Sequence, residues 1–160
     1  MAQSKDRITC HILDTSLGRP ARGVRVRLSL TPPSPSSFLS SSTSSTSSPP
    51  PSISPPSSHP SSLPPRIFES QTDEDGRIKT WLPYSSATSS GEVPVYTLDD
   101  VLGDIQGAST WTLRFDTGGY YGEENTFFPE VTVIFRVAEG EGYHVPLLLA
   151  PFSYSTYRGS

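Results

Sequence analysis

Two histidines in strand-like segments are the side chains best suited to acid–base chemistry in this sequence. His11 lies within residues 8–15 (ITCHILDT), and His144 lies within residues 143–149 (YHVPLLL). An imidazole with an ordinary pKa of about 6.5 can take a proton from water near neutral pH. Each histidine alone fits equally well a half-buried residue with a satisfied hydrogen bond. The residue types therefore permit a general base without identifying one.

The sequence gives little support to a thiol or serine nucleophile. Cys10 and His11 are adjacent, and neighbouring side chains on a strand point to opposite faces, so they do not form a thiol–imidazole pair. Cys10 shares its face with Ile8 and Ile12, which predicts core packing. The sequence contains no Gly-x-Ser-x-Gly motif, so the turn that carries a serine-hydrolase nucleophile is not indicated.

Residues 73–76 (DEDG) begin like a calcium-binding loop and then depart from that pattern. Arg77 stands where a third oxygen ligand is needed, and no glutamate closes the loop at its twelfth position. We interpret the run as a turn in which Gly76 adopts a positive φ and Arg77 projects just beyond it. A zinc site needs three or four ligands, and His11 and His144 fall short of that number unless carboxylates or a second subunit contribute.

The final residues, 152–160 (FSYSTYRGS), predict a polar strand end. Gly159 allows close backbone approach, and Ser160 adds a hydroxyl beside it. Such a strand end is suited to lining a cleft or a subunit interface. Two-residue alternation places Ser153, Ser155, Tyr157 and Gly159 on one face, and Phe152, Tyr154, Thr156 and Arg158 on the other.

The strand pattern of the segments around these groups predicts an all-β sandwich. Apolar residues alternate with polar ones through residues 24–30, 111–116 and 131–137, as in strands with one buried face. One short helix is expected over residues 97–105, with Thr97 as its cap. Many short strands with one small helix predict two packed sheets.

A low-complexity tract interrupts this pattern between the second and third strands. Residues 31–65 hold 11 of the 17 prolines and no charged residue, and we expect them to form a long disordered Ser/Pro loop. Such an insertion costs little, because loop-closure entropy grows only logarithmically with length. A proline-rich docking site for a partner is the alternative. We expect residues 1–160 to form a single domain around one modest core.

Charge and composition exclude several functional classes. A net charge of −4 argues against a nucleic-acid or anionic-membrane surface, and no apolar run approaches the roughly 20 residues that span a bilayer. The first residues lack the apolar centre of a signal peptide. The single cysteine, Cys10, suits a reducing compartment, so we expect a cytoplasmic protein. The last three residues, Arg-Gly-Ser, differ from the peroxisomal targeting signal Ser-Lys-Leu, so no clear signal for that compartment is seen. Whether the protein also resides in peroxisomes stays open.

Four blocks of the sequence match one known family. They are residues 8–24 (ITCHILDTSLGRPARGV), 72–77 (TDEDGR), 115–131 (FDTGGYYGEENTFFPEV) and 143–160 (YHVPLLLAPFSYSTYRGS). Together they resemble the transthyretin-like family, and in particular its members that hydrolyse 5-hydroxyisourate in urate degradation. The terminal Tyr-Arg-Gly-Ser distinguishes these hydrolases within the family. The long insertion at 31–65 and the stretch at 84–108 depart from the family pattern without touching a motif.

The resemblance implies a sandwich of two four-stranded sheets with one short helix, assembled as a homotetramer that is a dimer of dimers. Substrate clefts would lie where the dimers meet, lined by strands of neighbouring subunits. No cofactor and no metal are implied. The resemblance places catalytic roles on His11, His144 and Arg77, and substrate binding on His11, Arg77, Tyr157, Arg158 and Ser160.

The implied reaction adds water to the C6 carbonyl of 5-hydroxyisourate and opens its six-membered ring, giving 2-oxo-4-hydroxy-4-carboxy-5-ureidoimidazoline. One histidine would activate the water, and Arg77 would supply a planar, permanently charged donor. Which histidine is the base stays open at this point. A non-catalytic ligand carrier on the same sandwich and a metal-dependent cyclic amidohydrolase are the alternatives. Thyroid-hormone carriers of this fold lack the His11, Arg77 and C-terminal set.

Deletion of residues 33–64 tests the interpretation of the Ser/Pro tract. We expect the shortened chain to keep its assembly state and its activity largely unchanged, because closing a shorter loop costs little. Size-exclusion chromatography and an activity assay measure both properties. Loss of the assembly would contradict the interpretation.

Overall fold

The computed structural model describes residues 4–32, 66–84 and 96–160, and the strands of these ranges form two sheets. The first sheet contains β1 (Ile8–Asp14), β2 (Arg19–Pro20), β5 (Arg77–Ile78), β9 (Tyr143–Ala150) and β10 (Ser153–Thr156). The second contains β3 (Arg25–Leu30), β4 (Ile67–Gln71), β6 (Leu82–Pro83), β7 (Ser109–Phe115) and β8 (Val131–Val137). Two helices, α1 (Leu98–Asp104) and α2 (Thr117–Tyr121), and a 3-10 helix (Glu123–Asn125) lie between strands.

Strand β1 lies between its neighbours in the first sheet, whose strand order is β10-β9-β1-β2. It pairs in parallel with β9 from Ile8 opposite Tyr143 to Asp14 opposite Leu149. On its other side it pairs antiparallel with β5 and then with β2. The second sheet has the order β6-β4-β3-β7-β8, and all of its pairings are antiparallel.

Apolar side chains on the inner faces of the two sheets form the core. The largest of them, Trp111, Phe68 and Phe115, are fully buried. Burial of a large apolar side chain contributes roughly 1.5–3 kcal/mol, so such residues hold the two sheets together. On β1 the inward positions are taken by Ile8, Cys10 and Ile12. Because side chains alternate along a strand, the residues between them face the outer surface of the first sheet.

The expected sandwich is confirmed, with more segments than the pattern predicted. Helix α1 begins at the expected cap, since the Thr97 hydroxyl accepts from Asp100 N and the Asp100 carboxylate accepts from Thr97 N. The two-residue strands β2, β5 and β6 bring each sheet to five segments. Helix α2 has only five residues, too few for a helical period to show in the sequence.

Two expectations concern parts of the chain that the structure does not describe. Strand β3 ends at Leu30 and β4 begins at Ile67, so the Ser/Pro tract does separate these strands in the chain. Of the tract 31–65 that was predicted to be disordered, residues 33–65 lie outside the described ranges, whereas Thr31 at its start donates its N–H to Thr110 O at 2.8 Å. That residues 1–160 form a single domain stays a prediction. In the described part of the chain, no helix is long and apolar enough to cross a membrane.

A buried carboxylate ties the end of β1 to helix α2. Asp14 is fully buried, and its Oδ1 accepts from Ser16 N at 3.0 Å, Ser16 Oγ at 2.6 Å and Leu17 N at 3.1 Å. Its Oδ2 accepts from the Tyr120 hydroxyl at 2.9 Å. Burial acts to raise the pKa of Asp14, but the bonds from Ser16, Tyr120 and Leu17 outweigh it, and the pKa is lowered. The carboxylate is thus held ionised as a structural anchor.

Removal of the Tyr120 hydroxyl tests this anchor. We expect Tyr120→Phe to lower the free energy of unfolding by about 1.5–3 kcal/mol, because it deletes a hydrogen bond to a charged group. Tyr121→Phe is the matched control, since the buried Tyr121 hydroxyl makes no hydrogen bond of normal geometry within the described residues. Urea unfolding at one protein concentration measures both variants. Equal losses in the two would contradict the assignment.

Candidate active site

Three adjacent strands place two imidazoles and a guanidinium on the outer face of the first sheet. His11 on β1 stands opposite Arg77 on β5, and His144 lies on the neighbouring strand β9, opposite Thr9. The two imidazole rings have centroids 6.4 Å apart and planes inclined at 33°. All three predicted catalytic side chains therefore gather within a single chain.

The turn before β5 holds Arg77 in place. The Asp73 carboxylate accepts from Asp75 N and Arg77 N, both at 2.9 Å, and Asp73 N donates to Arg77 O at 3.0 Å. Gly76 has a φ of 70°, and a Cβ there would lie 2.4 Å from Ile12 O. The turn interpretation is confirmed, because the Asp73 carboxylate binds backbone amides of its own loop.

The ring of His144 is held on two sides. Its Nδ1 lies 2.8 Å from the Thr9 hydroxyl oxygen. On the other side, a Cβ at Gly159 would lie 2.7 Å from His144 Cδ2, so only glycine allows the tail to approach this closely. Gly159 N also donates to His144 O at 2.8 Å. The chain end is thereby fastened beside the imidazole.

The tail continues the register between β10 and β9. Thr156 pairs with Leu147, and three residues later Gly159 pairs with His144. The ladder is interrupted between these pairs at Pro146, which has no backbone N–H to donate. Two-residue alternation then puts Tyr157 on the same face as Gly159, towards the histidines. Tyr157 is 59% exposed, so a ligand on this face can reach its side chain.

Alternation puts the Arg158 side chain on the other face of the tail from Tyr157 and Gly159. Its guanidinium carbon is 5.0 Å from the centre of the Tyr143 ring, a cation–π distance. Within one chain, the structure therefore gives Arg158 a contact that holds the tail, and it does not bring the side chain to His11 and Arg77. Arg158 borders a groove of about 460 Å³ lined by Val133, Phe135, Arg136, Tyr143, His144, Val145, Thr156, Tyr157 and Arg158.

The surroundings of both histidines favour their neutral form. Burial, followed by the charge of Arg77, lowers the pKa of His11, and the backbone of Asp75 partly opposes this. Burial lowers the pKa of His144 as well, and the charges of Arg77, Lys5 and His11 add to the effect. A neutral imidazole has a free ring nitrogen, so either side chain can accept a proton from water near pH 7.

Two other chemistries find little support in the described residues. Cys10 is buried, burial raises the pKa of its thiol, and its side chain faces the core, as the alternation on β1 predicted. Within residues 4–32, 66–84 and 96–160, no three His, Cys, Asp or Glu side chains are grouped so that they could hold a metal ion. The arrangement can activate a water with an imidazole and stabilise negative charge with Arg77.

Two residues near the site were not identified from the sequence. Thr9 contacts His144, and Lys5 acts on the pKa of the same ring. Thr9 lies two residues before His11, so alternation could have placed it on the same face. Its contact with His144 depends on the pairing between β1 and β9, which no local pattern reveals.

Comparison with known proteins identifies the family. A model described as the HIUase/Transthyretin family matches residues 8–159. A Schizosaccharomyces pombe protein named "Probable 5-hydroxyisourate hydrolase" is 32% identical over 155 residues, covering 96% of this chain and 90% of that protein.

Two solved structures share the fold. The Klebsiella pneumoniae 5-hydroxyisourate hydrolase is 25% identical with a TM-score of 0.51, covering 96% of this chain and 98% of that one. Sea bream transthyretin in complex with thyroxine is 19% identical with a TM-score of 0.57, covering 96% and 95% of the two chains, a likeness of fold alone. Since the family match extends over both sheets and from His11 to Gly159, the chain belongs to the HIUase/Transthyretin family.

Proposed function

We propose that this chain hydrolyses 5-hydroxyisourate, opening the six-membered ring at C6 to give 2-oxo-4-hydroxy-4-carboxy-5-ureidoimidazoline. The observation that carries the proposal is the grouping of His11, His144 and Arg77 on one face, beside a tail that reads Tyr-Arg-Gly-Ser. The names of the S. pombe and K. pneumoniae relatives support the same reaction.

The mechanism begins with a water bound between the histidines and the substrate. A neutral imidazole takes one proton from this water, and the oxygen forms a bond with C6. When the tetrahedral intermediate collapses, the ring C–N bond at C6 breaks. The imidazolium returns its proton to the departing nitrogen, so the histidine ends the cycle neutral. This chemistry draws on no cofactor.

Arg77 and the tail position the substrate and stabilise its developing charge. The guanidinium offers several N–H donors in one plane and stays charged at all relevant pH values. Aimed at the C6 oxygen, such a donor contributes about 2.7–4 kcal/mol to lowering the barrier. The hydroxyls of Tyr157 and Ser160 orient the substrate ring by hydrogen bonding. Arg158 stacks on the Tyr143 ring and so holds the C-terminal tail that carries these hydroxyls in place.

The proposed assembly is a homotetramer, a dimer of dimers with its clefts between dimers. Large apolar side chains are exposed on loops of the single chain, among them Leu17 at 57%, Phe127 at 71% and Phe152 at 76%. Exposed residues of this kind are typical of subunit interfaces when they are contiguous. We place the enzyme in the cytoplasm, where a single reduced thiol is stable.

A ligand carrier is the second candidate function, because the fold is shared with sea bream transthyretin. A carrier would bind ligand without consuming 5-hydroxyisourate. A metal-dependent amidohydrolase would lose activity on treatment with a chelator, whereas the proposed enzyme would not. The paired imidazoles and Arg77 favour the hydrolase over both.

Substitution of the three central residues tests the proposed roles. We expect His11→Asn, His144→Asn and Arg77→Ala each to lower turnover at least about tenfold, because each removes a proton acceptor or a charged donor. Arg25→Ala, a change at an exposed arginine of the second sheet, is the control and should keep full activity. The assay follows ultraviolet absorbance of 5-hydroxyisourate freshly made by urate oxidase. Near-wild-type decay with any of the three would refute that residue's role.

The charge of Lys5 provides a test of pH dependence. The pKa of His144 lies below its ordinary value of 6.5 partly because of Lys5, so Lys5→Gln should raise it. As the pH falls, the His144 ring of this variant becomes protonated at a higher pH than in the wild type. If His144 is the base, the acid limb of kcat/KM therefore moves to higher pH. NMR titration of the ring protons checks the pKa, with Lys79→Gln as a matched control. A raised pKa with an unmoved acid limb would exclude His144 as the base.

A further inference from the structure

We propose that Thr9 is a positioning residue for catalysis: its hydroxyl accepts the Nδ1 proton of His144, which leaves Nε2 free to take the proton of the attacking water. The inference rests on the proposed function and identifies the histidine that acts as base. It starts from a contact between two residues 135 positions apart, Thr9 Oγ1 and His144 Nδ1, at 2.8 Å.

The hydroxyl of Thr9 has two partners, and together they select one tautomer of His144. Besides Nδ1 at 2.8 Å, Oγ1 has the Tyr143 carbonyl oxygen at 3.5 Å. A carbonyl only accepts, so the hydroxyl proton can be donated there while its oxygen accepts Nδ1–H. In the reverse arrangement the hydroxyl donates to Nδ1 and leaves the carbonyl contact unused. The tautomer with Nδ1 protonated therefore makes both contacts, although the one to Tyr143 is long.

The same contacts fix the direction in which the ring points. Thr9 holds the Nδ1 edge of His144, and Gly159 packs against Cδ2 on the other edge. The remaining edge carries Nε2 and Cε1, and it lies farthest from the strand. Nε2 is thus the ring nitrogen that a water on the open face can reach.

The arrangement also suits the protonated state that follows proton transfer. When Nε2 takes a proton from water, Nδ1 keeps its own and continues to donate to Thr9. The hydroxyl does not need to reorient during the step, which is the property expected of a preorganised site. A lowered pKa, caused by burial and then by Arg77 and Lys5, keeps His144 neutral and ready before the step.

Packing alone does not explain a threonine at this position. Thr9 is 2% exposed, and a valine of nearly the same shape would fill the space without a polar group to satisfy. The hydroxyl of Thr9 instead has a ring nitrogen of His144 as its nearest partner. His11, by contrast, faces the backbone of Asp75 and the charges of Arg77 and Asp73.

Three variants separate positioning from stability. We expect Thr9→Val to lower kcat at least about tenfold with KM within about twofold, because the base is misoriented while substrate contacts persist. Thr9→Ser keeps the hydroxyl and should recover most of the lost rate. Thr112→Val is the matched control: it removes another buried hydroxyl, bonded to Thr31 Oγ1 at 2.6 Å on the second sheet, and should leave kcat unchanged.

NMR of the ring nitrogens tests the tautomer without relying on activity. In the full-length wild-type protein labelled with ¹⁵N, neutral His144 should show Nδ1 in the range of a protonated nitrogen and Nε2 in that of an unprotonated one. In Thr9→Val we expect this preference to weaken, and the acid limb of kcat/KM to shift with the changed pKa of the ring.

Two results would overturn the proposal. One is a wild-type His144 that carries its proton on Nε2, which can be seen even if Thr9→Val fails to fold. The other is a folded Thr9→Val with wild-type kcat and an unchanged pH profile. If the wild-type protein does not consume 5-hydroxyisourate, the proposed function fails, and the nitrogen spectra still decide the tautomer.

Discussion

The register of β1 between its two neighbours is the constraint on which the rest of the site depends. Its pairing with β5 sets Arg77 beside His11, and its pairing with β9 sets Thr9 beside His144. A slip of one residue would turn His11 towards the core and Cys10 outwards, because side chains alternate along a strand. Burial of Ile8, Cys10 and Ile12 opposes such a slip. The hydrophobic core and the geometry of the site are thus set by the same pairing.

The imidazole of His144 joins two otherwise separate parts of the structure. Thr9 reaches it from β1, and Gly159 approaches it from the tail. Arg158 adds a contact on the far side of the tail, over Tyr143. A single ring is therefore packed by the second residue of β1 and by the end of the chain. Positions near both termini influence how that ring is oriented.

Much of this arrangement follows from local patterns in the sequence. Alternation placed Cys10 in the core and His11 outside it, and the cap at Thr97 was predicted because a capping residue is a local feature. The gathering of His11, Arg77 and His144 came only from the resemblance, since no local pattern says which strands pair. The contact of Thr9 with His144 and the influence of Lys5 on the pKa of that ring were missed for the same reason. Helix α2 was missed because five residues are too few to show a period.

The parallel pairing of β1 with β9 also affects how the chain folds. The partner residues of this pair are about 135 positions apart, as for Thr9 and His144. At translation rates of 5–20 residues per second, β1 waits on the order of ten seconds on the ribosome before β9 is made. Contacts of such long range slow folding, because closing a long loop precedes any gain from pairing. The face of the first sheet that carries His11 and His144 can therefore form only after most of the chain has been made, and until then β1 is without its partner strand β9.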